Sequence, residues 1–122
     1  MRKRREAAVV GAALLATVAL AGVPGQETAR VEEFEVTARR FAFEPATLAV
    51  DKGTRVKITV RSADGAHGFA IEKLGIRKTI PRGGEAITFE FEANEPGNFE
   101  IACSEYCGRG HRDMKGMLVV RP

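Results

Sequence analysis

Short stretches in which apolar and polar residues alternate recur along the chain after residue 30. Between residues 55 and 61, for example, Val56, Ile58 and Val60 alternate with charged or polar residues. Alternation with a period of two is typical of a half-buried β-strand, because successive side chains of a strand point to opposite faces. The pattern predicts six strands, which are FEVTA (34–38), TLAV (47–50), RVKITVR (55–61), AITFEF (86–91), NFEIAC (98–103) and GMLVV (116–120).

Residues that favour turns separate these stretches. The turn signals are Glu44-Pro45, Asp51-Lys52-Gly53, Ala63-Asp64-Gly65, the segment PRGG (81–84) and the segment NEPG (94–97). No stretch after residue 30 has the period of an amphipathic helix of useful length. Short strands at regular spacing over roughly 90 residues predict one all-β domain, residues 31–122, folded as a Greek-key β-sandwich or barrel.

The first 23 residues have the composition of a targeting segment. Residues 2–5 are all Arg or Lys, and residues 7–23 carry no charge. A basic start before an apolar run is typical of a secretory signal, although a helix of this run would be about 25 Å long, close to the roughly 30 Å of a bilayer core. We therefore expect residues 1–23 to be a cleaved signal peptide or a single membrane anchor, followed by a linker (24–30). In both cases the domain lies outside the cytoplasm, because the basic end stays inside.

The positive charge of the chain is confined to that segment. Four of the 19 basic residues and one of the 16 acidic residues lie before residue 22, so the remainder carries 15 of each and no net charge. A nucleic-acid-binding domain would need a basic face on its folded part. We therefore expect no nucleic-acid partner.

The segment CSEYCGRGHRDM (103–114) concentrates side chains that bind metals. It contains Cys103, Cys107, His111 and Met114, which include both cysteines of the chain. It forms the predicted loop before the last strand, and a loop held between two strands is a rigid mount for ligands. The other histidine, His67, follows the strand at 55–61 and its turn, so it can lie at one end of the sandwich as well.

Two interpretations of this segment compete. A disulfide between Cys103 and Cys107 is sterically reachable, since the bond prefers Cα atoms about 5.5–6 Å apart, and oxidation is possible outside the cytoplasm. It would close a very short loop, stabilise little, and leave His111 and Met114 unexplained. Taken together, the spacing Cys-x3-Cys-x3-His-x2-Met and a second histidine favour a metal site.

The donor types favour copper over zinc. Thiolate and thioether sulfur are soft donors that suit copper, whereas structural zinc has no use for Met. A mononuclear blue-copper site would need only Cys107, His111, Met114 and His67. Cys103 would then have no role. Two copper ions that share both sulfurs, each with one imidazole and one weak ligand, would use every donor.

These residues resemble a known family. The segment 103–114, the upstream HGF (67–69) and the stretch FAFEPATLAVDKGTRVKITV (41–60) are similar to the Cu-A domain of cytochrome c oxidase subunit II, and the resemblance extends over about residues 31–122. It implies a cupredoxin-like fold in which Cys103 and Cys107 bridge two copper ions. His67 and Met114 would then complete one copper, and His111 and the backbone carbonyl of Glu105 the other. The family also implies a magnesium ion on the Glu105 carboxylate at a subunit interface.

The resemblance implies one-electron transfer in respiration. The chain would be subunit II of a membrane-bound haem-copper oxidase, an electron-transfer subunit with oxidase activity only as part of the complex. It would take electrons from cytochrome c or a small copper protein and pass them to subunit I. Subunit II commonly has two membrane helices, whereas this chain has at most one, which attaches it to the membrane if it is not cleaved. Because the chain has no Trp, the candidate aromatic residues for donor docking are Phe41, Phe43 and Tyr106, with core packing the favoured role for both phenylalanines.

Other functions stay open at this point. The nitrous-oxide reductase Cu-A domain has the same motif and is an alternative relative. A stand-alone periplasmic cupredoxin, or a copper-delivery protein that holds Cu(I) in an exposed site, would use the same donors. A binding module stabilised by a disulfide would use no metal.

Overall fold

The computed structural model describes residue 11 and residues 30–122. The predicted signal peptide or anchor (1–23) and linker (24–30) therefore lie outside the described residues, apart from Gly11 and Arg30. Among the described residues, no helix has the length and hydrophobicity needed to cross a bilayer.

The described domain consists of nine strands in two sheets. The strands are β1 (Val31–Arg39), β2 (Ala42–Glu44), β3 (Thr47–Asp51), β4 (Thr54–Ser62), β5 (His67–Ile71), β6 (Ile76–Ile80), β7 (Ile87–Ala93), β8 (Gly97–Ala102) and β9 (Lys115–Arg121). One sheet has the order β2-β1-β4-β7 and the other β3-β9-β8-β5-β6. The β1–β4 and β3–β9 pairs are parallel, and the other pairs are antiparallel. The predicted all-β sandwich is confirmed.

The core lies between the inner faces of the two sheets. In β4 the alternating residues Val56, Ile58 and Val60 are fully buried, as the period of two predicts. Each such side chain contributes roughly 1.5–3 kcal/mol when it leaves water. Aromatic rings join the sheets, since Phe69 of β5 packs edge-on against Phe43 of β2, with ring centroids 5.5 Å apart. Phe43 is therefore a core residue, as expected.

Three strands were not predicted, and each has a physical reason. Strand β2 has only three residues, too few to display a period. All five residues of β5 are buried, so its sequence HGFAI does not alternate. Strand β6 lies at a sheet edge and exposes Arg77, Lys78 and Thr79 in succession.

The topology brings the loop 103–114 and His67 to one end of the sandwich. Strands β8 and β9 are antiparallel neighbours, and Ala102 pairs with Lys115 across them, so the loop joins two strands of one ladder. Strand β5 runs antiparallel to β8 on its other side, with Ala70 opposite Ala102. The first residue of β5, His67, therefore lies past the end of β8, beside the start of the loop 103–114. We call this region the loop end.

Candidate metal centre

The loop 103–114 is closed at its base and carries two buried thiols. The Cys103 amide donates a hydrogen bond to the Met114 carbonyl (3.2 Å), which continues the β8–β9 ladder by one step. Cys103 and Cys107 are free cysteines with exposed fractions of 6% and 8%. Their Sγ atoms lie 3.6 Å apart. Two soft donors thus share one small, water-poor space.

His67 supplies a buried nitrogen that has no hydrogen-bond partner. Its side chain is fully buried, and its Nε2 lies 2.5 Å from Asp64 Oδ1. Its Nδ1 is buried without a partner in the described part of the chain. Ligand atoms of His67, Cys103 and Cys107 all lie within 4.8 Å of one another. Because an unpaired buried nitrogen is costly, this atom fits a metal ligand whose other nitrogen is held by a carboxylate.

His111 and Met114 also lie close to Cys107. His111 Nδ1 and Met114 Sδ each lie 3.8 Å from Cys107 Sγ. Met114 is fully buried, whereas His111 is partly exposed beside Tyr106, with ring centroids 5.8 Å apart. Both side chains that the motif selects are therefore directed at the thiol pair.

Glu105 contributes two different groups to this end of the molecule. Its backbone carbonyl lies 3.1 Å from Cys103 Sγ, so it is available as a neutral oxygen ligand. Its carboxylate accepts a 2.5 Å hydrogen bond from the Thr79 hydroxyl of β6. Among the described residues, the one group of three or more His, Cys, Asp or Glu side chains that is close enough to hold a metal is His67, Cys103 and Cys107. The magnesium prediction at Glu105 has no support from the described residues.

The Cys107 thiol holds a proton that a metal would have to displace. Burial raises the pKa of Cys107 to about 11, and the hydrogen bond and negative charge of Cys103 act in the same direction. A bound cation has the opposite effect and favours the thiolate, since thiolates are the form of cysteine that binds metals. Two thiols, two imidazoles, a thioether and a carbonyl fit the donor preferences of copper.

The sequence predicts only a turn at Asp64, whereas the structure shows that this residue supports His67. Its carboxylate accepts hydrogen bonds from the backbone N–H groups of Arg40 and Gly65, at 2.8 Å each, in addition to its contact with His67. Burial raises the pKa of this carboxyl, but the hydrogen bonds from Arg40, His67 and Gly65 outweigh burial and lower the pKa from its ordinary value. An ionised Asp64 orients the His67 ring so that Nδ1 is left for a ligand.

A close backbone contact explains the glycine that follows His67. A Cβ at Gly68 would lie 2.6 Å from the Ser104 nitrogen and 2.7 Å from the Glu105 nitrogen, and would clash with Ser104 Oγ. The Gly68 amide also points at Cys103 Sγ at 3.5 Å. The absence of a side chain lets β5 approach the loop closely enough for His67 to reach the thiols.

The turn between β1 and β2 covers the loop from outside. The Phe41 ring lies directly against Gly108 and Gly110, where any Cβ would collide with it. Phe41 is 37% exposed and Tyr106 is 77% exposed. Phe41 is therefore a surface packing residue rather than a core residue, which corrects the expectation for this one phenylalanine.

Comparisons with known proteins identify the family of this chain. The family model of the cupredoxin-like domain matches residues 10–120. Cytochrome c oxidase subunit 2 of Thermus thermophilus is 34% identical over 87 residues, which cover 70% of this chain and 63% of that protein. The resemblance to subunit II inferred from the motif is thereby confirmed. The chain spans less than two thirds of that relative's length.

Solved structures show the same fold. A cryo-EM structure of a heme-copper terminal oxidase dimer contains a chain with a TM-score of 0.66 and 25% identity, with coverage of 74% of this chain and 65% of that one. The periplasmic domain of subunit II of the cytochrome oxidase of Bradyrhizobium japonicum has a TM-score of 0.65 at 19% identity, with coverage of 72% and 82%.

Proposed function

We propose that this chain, which belongs to the cupredoxin-like domain family, transfers single electrons through a binuclear copper centre at its loop end. The single observation that carries the proposal is the pair of buried thiols, with Sγ atoms 3.6 Å apart. One thiol would suffice for a mononuclear site. A second thiol at this distance is explained if both sulfurs bridge two metal ions.

The remaining donors divide naturally between the two metals. His67 and Met114 would complete one copper, and His111 and the Glu105 carbonyl the other. The lone buried Nδ1 of His67 and the 3.1 Å approach of the Glu105 carbonyl to Cys103 support this assignment. When bound, two copper ions that share two thiolates supply a one-electron couple.

The residues of the chain prepare the site for that chemistry. Cys103, Cys107, His67 and Met114 are all buried, so little water has to reorganise when the charge changes. The loop is fixed at its base by the ladder from Cys103 to Met114. A rigid donor set keeps the same geometry in both redox states, which is the requirement for rapid electron transfer.

The proposed setting is the extracytoplasmic side of a membrane, as subunit II of a haem-copper oxidase. The domain would take electrons from cytochrome c or a small copper protein and deliver them to subunit I. The similarity to cytochrome c oxidase subunit 2 and to a chain of a heme-copper terminal oxidase supports this role. The exposed Tyr106 ring, beside His111, offers an aromatic contact for the donor. Residues 1–23 would attach the domain to the membrane if they are retained.

The alternatives make different demands on the same residues. A copper-delivery protein exchanges its metal with partners and is best served by exposed donors, whereas both thiols here are buried. A stand-alone cupredoxin with one copper would leave Cys103 without a role. A module without metal would leave the His67 nitrogen unpaired.

The proposal is tested by replacing one bridge. In Cys103→Ser, the donors Cys107, His111, Met114 and His67 remain, which is a blue-copper set. We expect the copper content to fall from two ions to one per chain, with a change from a purple to a blue oxidised spectrum. Ser104→Ala, at the neighbouring position, is the matched control and should keep two. A Cys103→Ser protein that still bound two coupled coppers would show that Cys103 is not a bridge.

A further inference from the structure

Arg40 lies in the turn between β1 and β2 and contacts both sides of the loop end. Its backbone N–H donates a 2.8 Å hydrogen bond to Asp64 Oδ2. Its side-chain Nε donates a 2.9 Å hydrogen bond to the Cys107 carbonyl. The partners are 24 and 67 residues away in sequence, so neither contact follows from local chain geometry.

Each contact leads to a proposed copper ligand. Asp64 holds His67 through Nε2, which fixes the ring and leaves the buried Nδ1 for a ligand. The carbonyl that accepts from the Arg40 side chain belongs to Cys107 itself. One residue therefore connects the support of His67, on β5, with the backbone that carries a bridging thiol, on the loop.

The guanidinium of Arg40 is bound by a backbone carbonyl rather than by a carboxylate. Within residues 30–122, the Arg40 side chain takes part in no salt bridge. Its neighbour Arg39 has the opposite arrangement, because its guanidinium is paired with Glu44 at the surface. The guanidinium of Arg40 is instead held against the backbone of the metal-binding loop.

We propose that Arg40 is a positioning residue of the copper centre, an inference that rests on the function proposed above. Its side chain holds the Cys107 segment against the turn that also anchors Asp64, and so fixes the separation of Cys107 and His67. Its fixed positive charge raises the reduction potential, because reduction adds an electron that a nearby cation stabilises. Since Arg40 is exposed, solvent and salt weaken this second effect.

Two variants of Arg40 separate geometry from charge. Arg40→Ala removes both the hydrogen bond to Cys107 and the charge. Arg40→Lys keeps the charge but replaces a planar, fixed donor by a flexible one. Both leave the backbone hydrogen bond to Asp64 in place, so the turn itself should fold. Arg39→Ala is the matched control, because it removes an adjacent exposed arginine that does not contact the loop.

The first measurement is the reduction midpoint of the copper-loaded full chain. For Arg40→Ala we expect the equilibrium constant for reduction to fall about threefold. This corresponds to a midpoint lower by roughly 28 mV, because a tenfold change is 59 mV for a one-electron couple. Arg40→Lys should stay near the wild-type midpoint, and raising the salt concentration should shrink the Arg40→Ala shift. Arg39→Ala should leave the midpoint unchanged.

The second measurement is amide hydrogen exchange across residues 103–114 in the copper-free chain. Both Arg40 variants should exchange several-fold faster there than the wild type and Arg39→Ala, because the loop loses its outer hydrogen bond. Faster exchange with an unchanged midpoint in Arg40→Ala would overturn the electrostatic role. Arg40→Ala that matched Arg39→Ala in both measurements would overturn the whole inference. A wild-type chain that bound no copper would overturn the proposed function, while the exchange comparison would still decide whether Arg40 positions the loop.

Discussion

Strand β9 begins and ends in two contrasting surroundings. Just before its first residue, Met114 is fully buried with its sulfur 3.8 Å from Cys107 Sγ. Its last residue, Arg121, lies at the surface and donates a 2.7 Å hydrogen bond to Asp51, which also contacts Arg30. The two positions are separated by about 20 Å of extended strand. We call the second region, formed by Arg30, Asp51 and Arg121, the far end.

The contrast between the two ends indicates that stability and metal binding depend on different parts of this fold. At the far end, charged groups remain in water and are paired with one another, an arrangement that is usually worth little. At the loop end, soft and polar donors are buried, and one of them, His67 Nδ1, has no partner among the described residues. Such groups reduce the stability of the metal-free protein unless a ligand satisfies them. Changes at the loop end should therefore alter metal binding, and changes at the far end only folding.

The largest effect should come from His67→Ala, which removes the one proposed ligand side chain outside the loop. Loss of a group that merely supports a ligand typically costs 10–100-fold in metal affinity, so loss of the ligand itself should cost more than about 100-fold. Asp64→Asn weakens the support of His67 and also alters the hydrogen bonds from Arg40 and Gly65, but it keeps the ligand, so it should lower the copper affinity by about 10–100-fold. Competitive copper titration measures both. His67→Ala with two copper ions bound at wild-type affinity would remove the distinction between the two ends.

A large effect should also come from Gly68→Ala, through packing rather than ligation. The new Cβ would lie 2.6 Å from the Ser104 nitrogen and so push β5 away from the loop. We expect the free energy of unfolding to fall by about 1–3 kcal/mol, with weaker copper binding, as measured by urea denaturation and titration. Adding Ser104→Gly should restore part of the loss, because it removes the Oγ clash and leaves the backbone clash. Wild-type stability in the single variant would mean that β5 and the loop are not in close contact.

Met114→Leu should have a smaller effect, since it exchanges a weak thioether for a side chain of similar volume. The cost in folding should be under about 1.5 kcal/mol. Both copper ions should remain, and the reduction midpoint should move, because a weak axial ligand tunes the potential. Met117→Leu, on β9 and farther along the chain from the thiols, should leave the midpoint unchanged in voltammetry. Loss of copper from Met114→Leu, with retention in His67→Ala, would reverse the assigned roles.

The smallest effect should come from Asp51→Asn at the far end. The hydrogen bond and charge of Arg121 lower the pKa of Asp51 from its ordinary value of 3.8. The stabilisation is therefore fully present above pH 3.8 and is lost as the pH falls through the lower pKa of the folded protein. In urea denaturation, the free energy of unfolding should be slightly lower for Asp51→Asn than for wild type at pH 7, and the two values should converge in acid. Both proteins should bind the same amount of copper. A difference in the free energy of unfolding that increased in acid would contradict the expected pH dependence.

Much of the sandwich could be predicted from the sequence, because each half-buried strand alternates in its own residues. In β4 the apolar residues Val56, Ile58 and Val60 are buried, and the polar residues between them are at least partly exposed. Strand β5 could not be predicted, because it is buried on both faces and a short apolar run has no period to detect. Burial on both faces is a property of the assembled sheets and is not encoded in any local pattern.

The candidate ligands could be selected from the sequence, whereas the groups that support them could not. Cys103, Cys107, His111 and Met114 occur within twelve residues, so spacing alone selected them. The contact between Arg40 and Cys107 crosses 67 residues, and nothing in either local sequence indicates it. Arginine is common at protein surfaces, so Arg40 can be recognised only from the topology that brings it to the loop.

The most direct test of the central claim is the copper content and oxidised spectrum of the reduced full chain after loading with copper. We predict two copper ions per chain and a purple oxidised form, because both buried thiols at the loop end act as bridges. One copper ion per chain with a blue spectrum would contradict the binuclear assignment. A chain that bound no copper after reduction of its thiols would contradict the metal centre altogether.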